Sequence, residues 1–489
     1  MDVVSSLPLV AVIIPLLGAV LLFFIPEDKD NIRNPVAIAI SIATAIVVIS
    51  VVQMVLKGSI VYNKVVEILP GLEFSFRVDP LGALFAGTAS ILWIFAVIYS
   101  TGYMAHEHNR KRYFIFYLLS LGITMGVAFA ANLFTLYLFY ELLTLATYPL
   151  VVHEGNEEAQ KAGIRYIIYS FVGAGFVLFA LFVTYGQVGT LEFTQGGIMG
   201  GLLATAPLLL QVVFISYILG FGVKAAVMPL HAWLPSAMAA PTPVSALLHA
   251  VAVVKSGVFG ILRVMYSIFG TDVLITLNLG LFVAVLVSFT IIMASLIALR
   301  QDVLKKRLAF STISQLGYIT LGAALLTPLG LAGGLLHLLN HALLKITLFF
   351  CAGTIITITG KKRISELNGV GRRLPITMSA FAIGSIGMIG ILPINGFISK
   401  WYLMSGSLSA GMPVFLIILM TSAVLNALYF IPIIVNAFFK QGEFEKVPGA
   451  EAPLTMILPV AVLAITCIIL GINIEFFVPY VDQVVAYIF

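Results

Sequence analysis

Apolar residues run through this chain in blocks of about twenty, separated by short polar links. A bilayer core about 30 Å thick is crossed by about 20 residues of α-helix. The pattern predicts about fourteen spans, at 5–25, 36–57, 80–102, 112–130, 132–152, 163–187, 207–233, 241–266, 273–299, 308–328, 330–359, 375–402, 412–439 and 453–478. The links are turn-like: Glu27-Asp28-Lys29-Asp30, Gly58-Ser59, 186–201 and Pro448-Gly449. Residues 59–78 differ. There Val61, Tyr62, Val65 and Val66, then Leu72, Phe74, Phe76 and Val78, alternate at period two about Pro70-Gly71, which predicts a small hairpin outside the membrane.

Composition strengthens this picture. Hydrophobic residues make up 61% of the 489 positions and charged ones 10%, with mean hydropathy +1.11. A soluble domain carries about 45–50% apolar residues and about 25% charged ones. A soluble fold is excluded, and 1–489 reads as one all-α transmembrane domain. The first apolar run has no basic region before it and no small-residue cleavage site after Phe24, so it is expected to be a retained helix, not a signal peptide. The two cysteines, Cys351 and Cys467, lie in apolar runs and supply neither a cluster nor a redox pair.

Net charge is +5, yet its distribution points to orientation and not to nucleic acid. Links after odd-numbered spans hold eighteen basic residues, among them Arg33, Lys305, Arg307 and Lys446; links after even-numbered spans hold four, Lys57, Lys64, Arg77 and Arg263. The positive-inside rule then puts the odd links in the cytoplasm and both termini outside a cytoplasmic (inner) membrane.

Four lysines remain, and all fall inside predicted spans: Lys224, Lys255, Lys345 and Lys400. Glu141 joins them, about midway along Leu133–Val152. Each such residue costs roughly 2.5–3.5 kcal/mol at a helix centre, about 15 kcal/mol for five. They must face one another or water. Snorkelling from helix ends and ion pairs that only fix packing are the structural alternatives. His337, His341 and Lys345 step by four and so form one ridge of a helix. Paired histidines at this spacing could bind zinc, but Leu338 stands where the metalloprotease motif needs glutamate. Lysine and histidine side chains both take up and release protons, which suits a relay better than a metal site. His249 is open between a relay member and a histidine bonded to a neighbouring carbonyl.

Two spans carry helix breakers beside a lysine: Pro229 after Lys224, and Pro393 before Lys400. Discontinuous helices in corresponding halves mark transport paths. Residues 112–266 and 273–439 each give five spans with a broken, lysine-bearing penultimate one, and an odd number makes the second repeat run inverted.

The stretch KAAVMPLHAWLPSAMAAPTPVSALLHAVAVVKSGVFGILR, with RQDVLKKRLAFSTISQLGYI, HLLNHALLKITLFFCAG and GFISKWYL, is similar to the proton-conducting, antiporter-like subunits of respiratory complex I. The same subunits occur in Mrp-type cation/proton antiporters and membrane-bound hydrogenases. The resemblance covers roughly residues 75–440. It implies fourteen helices, two inverted five-helix repeats, and breaks in the seventh and twelfth helices. It also implies that Glu141 pairs with Lys224, that Lys255 is the central lysine, that His337, His341 and Lys345 lie on a polar axis, and that Lys400 is the terminal residue. Lysine at 400 resembles the Mrp D-type chains and departs from the complex I subunit with glutamate there. The sequence ends after the fourteenth span, without the lateral helix of the largest complex I antiporter subunit, which is expected of an Mrp-like or hydrogenase-like chain.

The expected function is translocation of H⁺ or Na⁺ along this axis within a multisubunit membrane complex. Breaking the Glu141–Lys224 pair would send a proton toward Lys255, along the histidines, and out by Lys400. No cofactor or metal of its own is expected. Energy would come from partners, with a peripheral iron–sulfur redox arm the expected one. A gradient-driven Na⁺/H⁺ antiporter subunit without redox partners, and a structural subunit whose transport has lapsed, are the alternatives. A small-molecule transporter and a quinone-binding redox subunit fit the residues less well.

Overall fold

The computed structural model describes residues 2–442, 444 and 451–489. Lys446 and the Pro448-Gly449 turn lie outside the described residues. In chain order the elements are β1 (Asp2–Val4), α1 (Leu7–Phe24), α2 (Asp30–Leu56), β2 (Ile60–Leu69), β3 (Leu72–Val78), α3 (Pro80–Tyr103), α4 (Arg110–Phe129), α5 (Leu133–Val151) and α6 (Glu157–Val188). There follow α7 (Pro207–Lys224), α8 (Trp233–Ser236), α9 (Thr242–Ala250), α10 (Val253–Arg263), α11 (Gly270–Thr276), α12 (Leu279–Arg300), α13 (Leu304–Ala324) and α14 (Pro328–Thr359). The chain closes with α15 (Val370–Arg373), α16 (Pro375–Ile389), α17 (Gly396–Ser409), α18 (Pro413–Phe439), α19 (Leu454–Ile472) and α20 (Val478–Ile488).

Helix starts follow local chemistry. Proline opens α3, α7, α14, α16 and α18, where its missing N–H costs nothing. Asp79, Asn132, Asn156 and Thr327 accept from the first free N–H groups of α3, α5, α6 and α14. Gly189 and Gly360 end α6 and α14 in the left-handed conformation.

Among the described residues, twelve helical segments are long and apolar enough to cross a membrane. Two predicted spans do not meet that measure. The segment 308–328, observed as Leu304–Ala324, carries Lys305, Lys306, Arg307 and Gln315. The segment 375–402 is two helices, α16 and α17, each under 18 residues. Boundaries differ elsewhere too. The helix predicted at 207–233 ends at Lys224 and that at 453–478 ends at Ile472, after which α20 adds an amphipathic helix packed on α3 and α14.

The hairpin at 59–78 is present as β2 and β3, with Val61 opposite Val78, and β1 adds a short parallel strand that periodicity did not predict. The innermost elements are α9 and α10, all of whose residues are buried, and α14, which is buried from Gly330 to Ile355. By contrast α1, α2, α6 and α18 leave broad apolar faces open, as lipid-facing helices do.

Candidate functional site

The break after Lys224 begins before its proline. Ala226 takes φ +53°, and α7 stops; Pro229 follows a cis Met228–Pro229 bond. The freed main chain is re-satisfied from the side: Trp233 Nε1 donates to the Val223 carbonyl at 2.7 Å, and Met228 N–H donates to Thr290 Oγ1 at 3.1 Å. Irregular backbone at membrane depth survives only where protein supplies such partners. The second break spans 390–395, with Gly390 at φ +93° and a cis Leu392–Pro393 bond. A third was not read from the sequence. It separates α9 from α10 at Val251 and Ala252, three residues before Lys255, with no proline or glycine in it to signal it.

Lys224 is fully buried, with Nζ 3.7 Å from Glu141 Oε1 and 3.3 Å from the centre of the Tyr140 ring. The same ammonium donates to the Tyr140 carbonyl. Glu141 is different: 18% of its side chain is exposed, and Leu142 and Leu145 beside it face outward. Oε1 has no hydrogen-bond partner among the described residues. A carboxylate on that flank cannot border lipid alone.

Lys255 reaches across to α14 and donates to the Leu338 carbonyl at 3.3 Å. That carbonyl lies between His337 and His341 in the chain, so α10 and the histidine ridge meet there. The ridge is real as geometry, with the His337 and His341 rings 6.2 Å apart. His337 Nε2 meets Gln315 Oε1 at 2.9 Å and Nδ1 meets Ser399 Oγ at 2.9 Å. Ser399 Oγ also donates to the Gly396 carbonyl at 3.1 Å. A hydroxyl between an imidazole and a carbonyl can rotate its proton from one to the other.

Lys400 neighbours that serine. Its ammonium donates to the Met388 and Ile389 carbonyls at 2.8 and 2.9 Å, which are the acceptors freed where α16 ends. Tyr318 lies between, its ring 5.1 Å from His337 and 5.2 Å from Lys400 Nζ. Lys345 turns the other way and donates to the Leu308 carbonyl at 3.1 Å. The carbonyl-bonded alternative for His249 does not hold: among the described residues neither ring nitrogen has a partner, and the ring packs 4.8 Å from Phe349, one turn beyond Lys345. His341 likewise has both ring nitrogens unpartnered among these residues. Among the described residues, no acidic side chain lies within 4.0 Å of Lys255, Lys345 or Lys400, and no group of three His, Cys, Asp or Glu could hold a metal ion.

Several participants were missed. Gln315, Tyr318 and Ser399 are ordinary polar residues in sequence, and only their meeting at His337 marks them. Asn340 and Asn395 exchange hydrogen bonds of 2.8 and 2.9 Å, tying α14 to the second break. Four basic residues assigned to aqueous links are buried: Arg33, Arg263, Lys305 and Arg307. Lys305 donates to the Ala240 carbonyl at 2.6 Å, below a cavity of about 470 Å³ bordered by Glu107, Glu154, Thr242 and Lys362. Arg263 is buried because Asp79 receives both arms of its guanidinium, one bond being 2.8 Å. Arg33 is buried against Asp30 in the first turn of α2.

Known proteins share this sequence pattern and fold. The profile of the NADH:quinone oxidoreductase/Mrp antiporter transmembrane family matches residues 130–426, and that of the NADH-ubiquinone oxidoreductase (complex I) chain 5 N-terminus matches 71–114. NADH-quinone oxidoreductase subunit N of Desulforudis audaxviator is 32% identical over 96% of this chain and 96% of its own. A Na⁺/H⁺ antiporter subunit of Bacillus subtilis is 26% identical over 98% of this chain and 96% of its own. A chain of the membrane-bound sulfane sulfur reductase, an archaeal respiratory membrane complex, superposes with TM-score 0.88 at 25% identity, over 99% of this chain and 98% of that one.

Proposed function

The chain belongs to the NADH:quinone oxidoreductase/Mrp antiporter transmembrane family, an antiporter-like, ion-translocating membrane subunit, and from that premise we propose how it moves its ion and what drives it. The observation that carries the proposal is the meeting of α10 and the α14 ridge at Lys255 and Leu338. Protons enter from the cavity above Lys305, on the face of the basic links, and reach His249 and Lys345. Lys255 joins that branch to the Glu141–Lys224 pair and to His337. His337 passes the proton through Ser399 toward Lys400. Each lysine is held on carbonyls, which accept from an ammonium and from a neutral amine alike, so a proton can leave without the side chain losing its seat. The Glu141–Lys224 pair is the switch: bringing the charges together holds a proton on Lys224, and parting them sends it to Lys255.

The subunit lies in the cytoplasmic membrane with the basic links inside and both termini outside. It counts fourteen spans, α13 and the broken α16–α17 pair being added to the twelve, in inverted repeats at 112–266 and 273–439. Support comes from the similar position of the α7–α8 and α16–α17 breaks in the two halves, each beside a buried lysine. The ion is H⁺, moved in a complex whose peripheral iron–sulfur arm supplies the energy. That choice rests on the higher identity to a quinone oxidoreductase subunit than to the sodium antiporter subunit. A gradient-driven antiporter subunit is the second reading, favoured by lysine at 400.

The test is purification of the tagged subunit with its partners, reconstitution into vesicles, and measurement of ion uptake. Iron–sulfur proteins are expected to co-purify, and Glu141→Gln is expected to slow electron-driven proton uptake by about tenfold or more, equivalent to about 1.4 kcal/mol on the limiting barrier. Co-purification of membrane subunits alone would favour the antiporter reading. Unchanged uptake with Glu141→Gln would remove the switch.

A further inference from the structure

A second cavity adjoins the one above Lys305, sharing Glu158 and Lys306 with it, where α6, α8 and α13 meet on the face of the basic links. It measures about 400 Å³ and is bordered by Lys161, Arg165, His231, Ser236, Lys306 and Glu158. Three cations from two helices and one carboxylate thus border the same cavity. Lys161 is also paired with Glu157 at 2.5 Å, but among the described residues neither Arg165 nor Lys306 has an acidic partner within 4.0 Å. Arg165 is held in place by donating to Ser236 Oγ at 2.6 Å. An excess of fixed positive charge with a hydroxyl and an imidazole beside it suits a singly charged phosphodiester.

The cavity does not stand alone. Next to it a groove of about 390 Å³ is bordered by Lys161, Ile164, Arg165, Ile168 and Tyr169. Lys161, Arg165, Ile168 and Val172 step by three and four, so the cations and the apolar groove share one ridge of α6. Ile164, Ile168, Phe171 and Val172 are all exposed along it. Charge at the membrane edge and a greasy stripe running inward from it match a lipid's head and tails. A free phosphate would use only the first.

We propose that this is a binding site for one anionic phospholipid, its phosphate among Arg165, Lys306 and Ser236 and an acyl chain along Ile164, Ile168 and Phe171. The headgroup then also touches His231, in the irregular segment between α7 and α8. Bound lipid would brace that segment, on which the position of Lys224 depends.

The test uses the complex purified from its own membrane and a photoactivatable phosphatidylglycerol, with a phosphatidylcholine analogue for comparison. Labelled peptides are mapped by mass spectrometry. Phosphatidylglycerol is expected to label 164–172 in preference to phosphatidylcholine, and Arg165→Gln with Lys306→Gln is expected to cut that labelling by about tenfold or more. Lys29→Gln, elsewhere on the same face, leaves it unchanged. Should the double variant not assemble, the map and the headgroup preference on the unaltered complex decide the matter. Equal labelling by both lipids, displacement by inorganic phosphate, labelling confined to other helices, or cross-links from 164–172 to another subunit would each overturn the proposal.

Discussion

An ammonium inside a membrane protein needs acceptors whether or not it has a counter-ion. Five buried lysines find theirs on the main chain: Lys224 on Tyr140, Lys255 on Leu338, Lys305 on Ala240, Lys345 on Leu308 and Lys400 on Met388 and Ile389. Among the described residues, only Lys224 of these five has a carboxylate within 4.0 Å. On the proposed path, this separates mobile charge from fixed charge. Asp79 and Arg263 form the fixed kind, buried together with two hydrogen bonds between them. Asp79→Asn would strand a guanidinium in the interior and is expected to lower unfolding stability by about 3–5 kcal/mol. Adding Arg263→Met should recover much of that loss, as read by thermal unfolding in detergent. If the double variant is no more stable than Asp79→Asn, the pair is not what holds α3 to α10. Sequence reading found Glu141 and four of the lysines because uncharged surroundings expose them. It misplaced Lys305 and Arg263, since each sits at the edge of an apolar run and the acceptor that draws it inward, Ala240 or Asp79, is far away in the chain.

At the scale of the element, breaks are what bring these side chains into reach. Proline announced two of them. The third, between α9 and α10, has no breaker, and just beyond it α10 approaches the end of α7 very closely. Gly257 makes that approach, and a Cβ there would meet Ala225 N at 2.3 Å and the Lys224 carbonyl carbon at 2.8 Å. Backbone atoms cannot yield as a side chain can. Gly257→Ala is therefore expected to cost about 1–3 kcal/mol of stability and to slow ion uptake by shifting Lys224 relative to Lys255. Unchanged stability and uptake in that variant would show that the two helices do not need this spacing. The hairpin at 59–78 was legible because period-two alternation survives outside the membrane. Inside it, α13 and α16–α17 blurred, the first through its polar residues and the second through its break.

For the whole molecule, composition settled the solvent but not the neighbours. Every lipid-facing helix and every subunit-facing helix is apolar, so hydropathy could not tell them apart. Glu141 marks one flank, where its side chain is 18% exposed beside the outward-facing Leu142 and Leu145. The ridge of Lys161, Arg165 and Ile168 marks another flank, which the proposal gives to lipid. Between them the proposed path has one residue common to all its branches. Lys255 meets the histidine ridge from α10, and its bond to the Leu338 carbonyl is what links the helix beside the Glu141–Lys224 pair to α14. The most direct measurement is proton uptake into vesicles holding the complex with Lys255→Ala, alongside the unaltered complex at equal driving force. Uptake reduced by about tenfold or more, with assembly intact, is the predicted result. Uptake at the unaltered rate would contradict a path through α10 and α14.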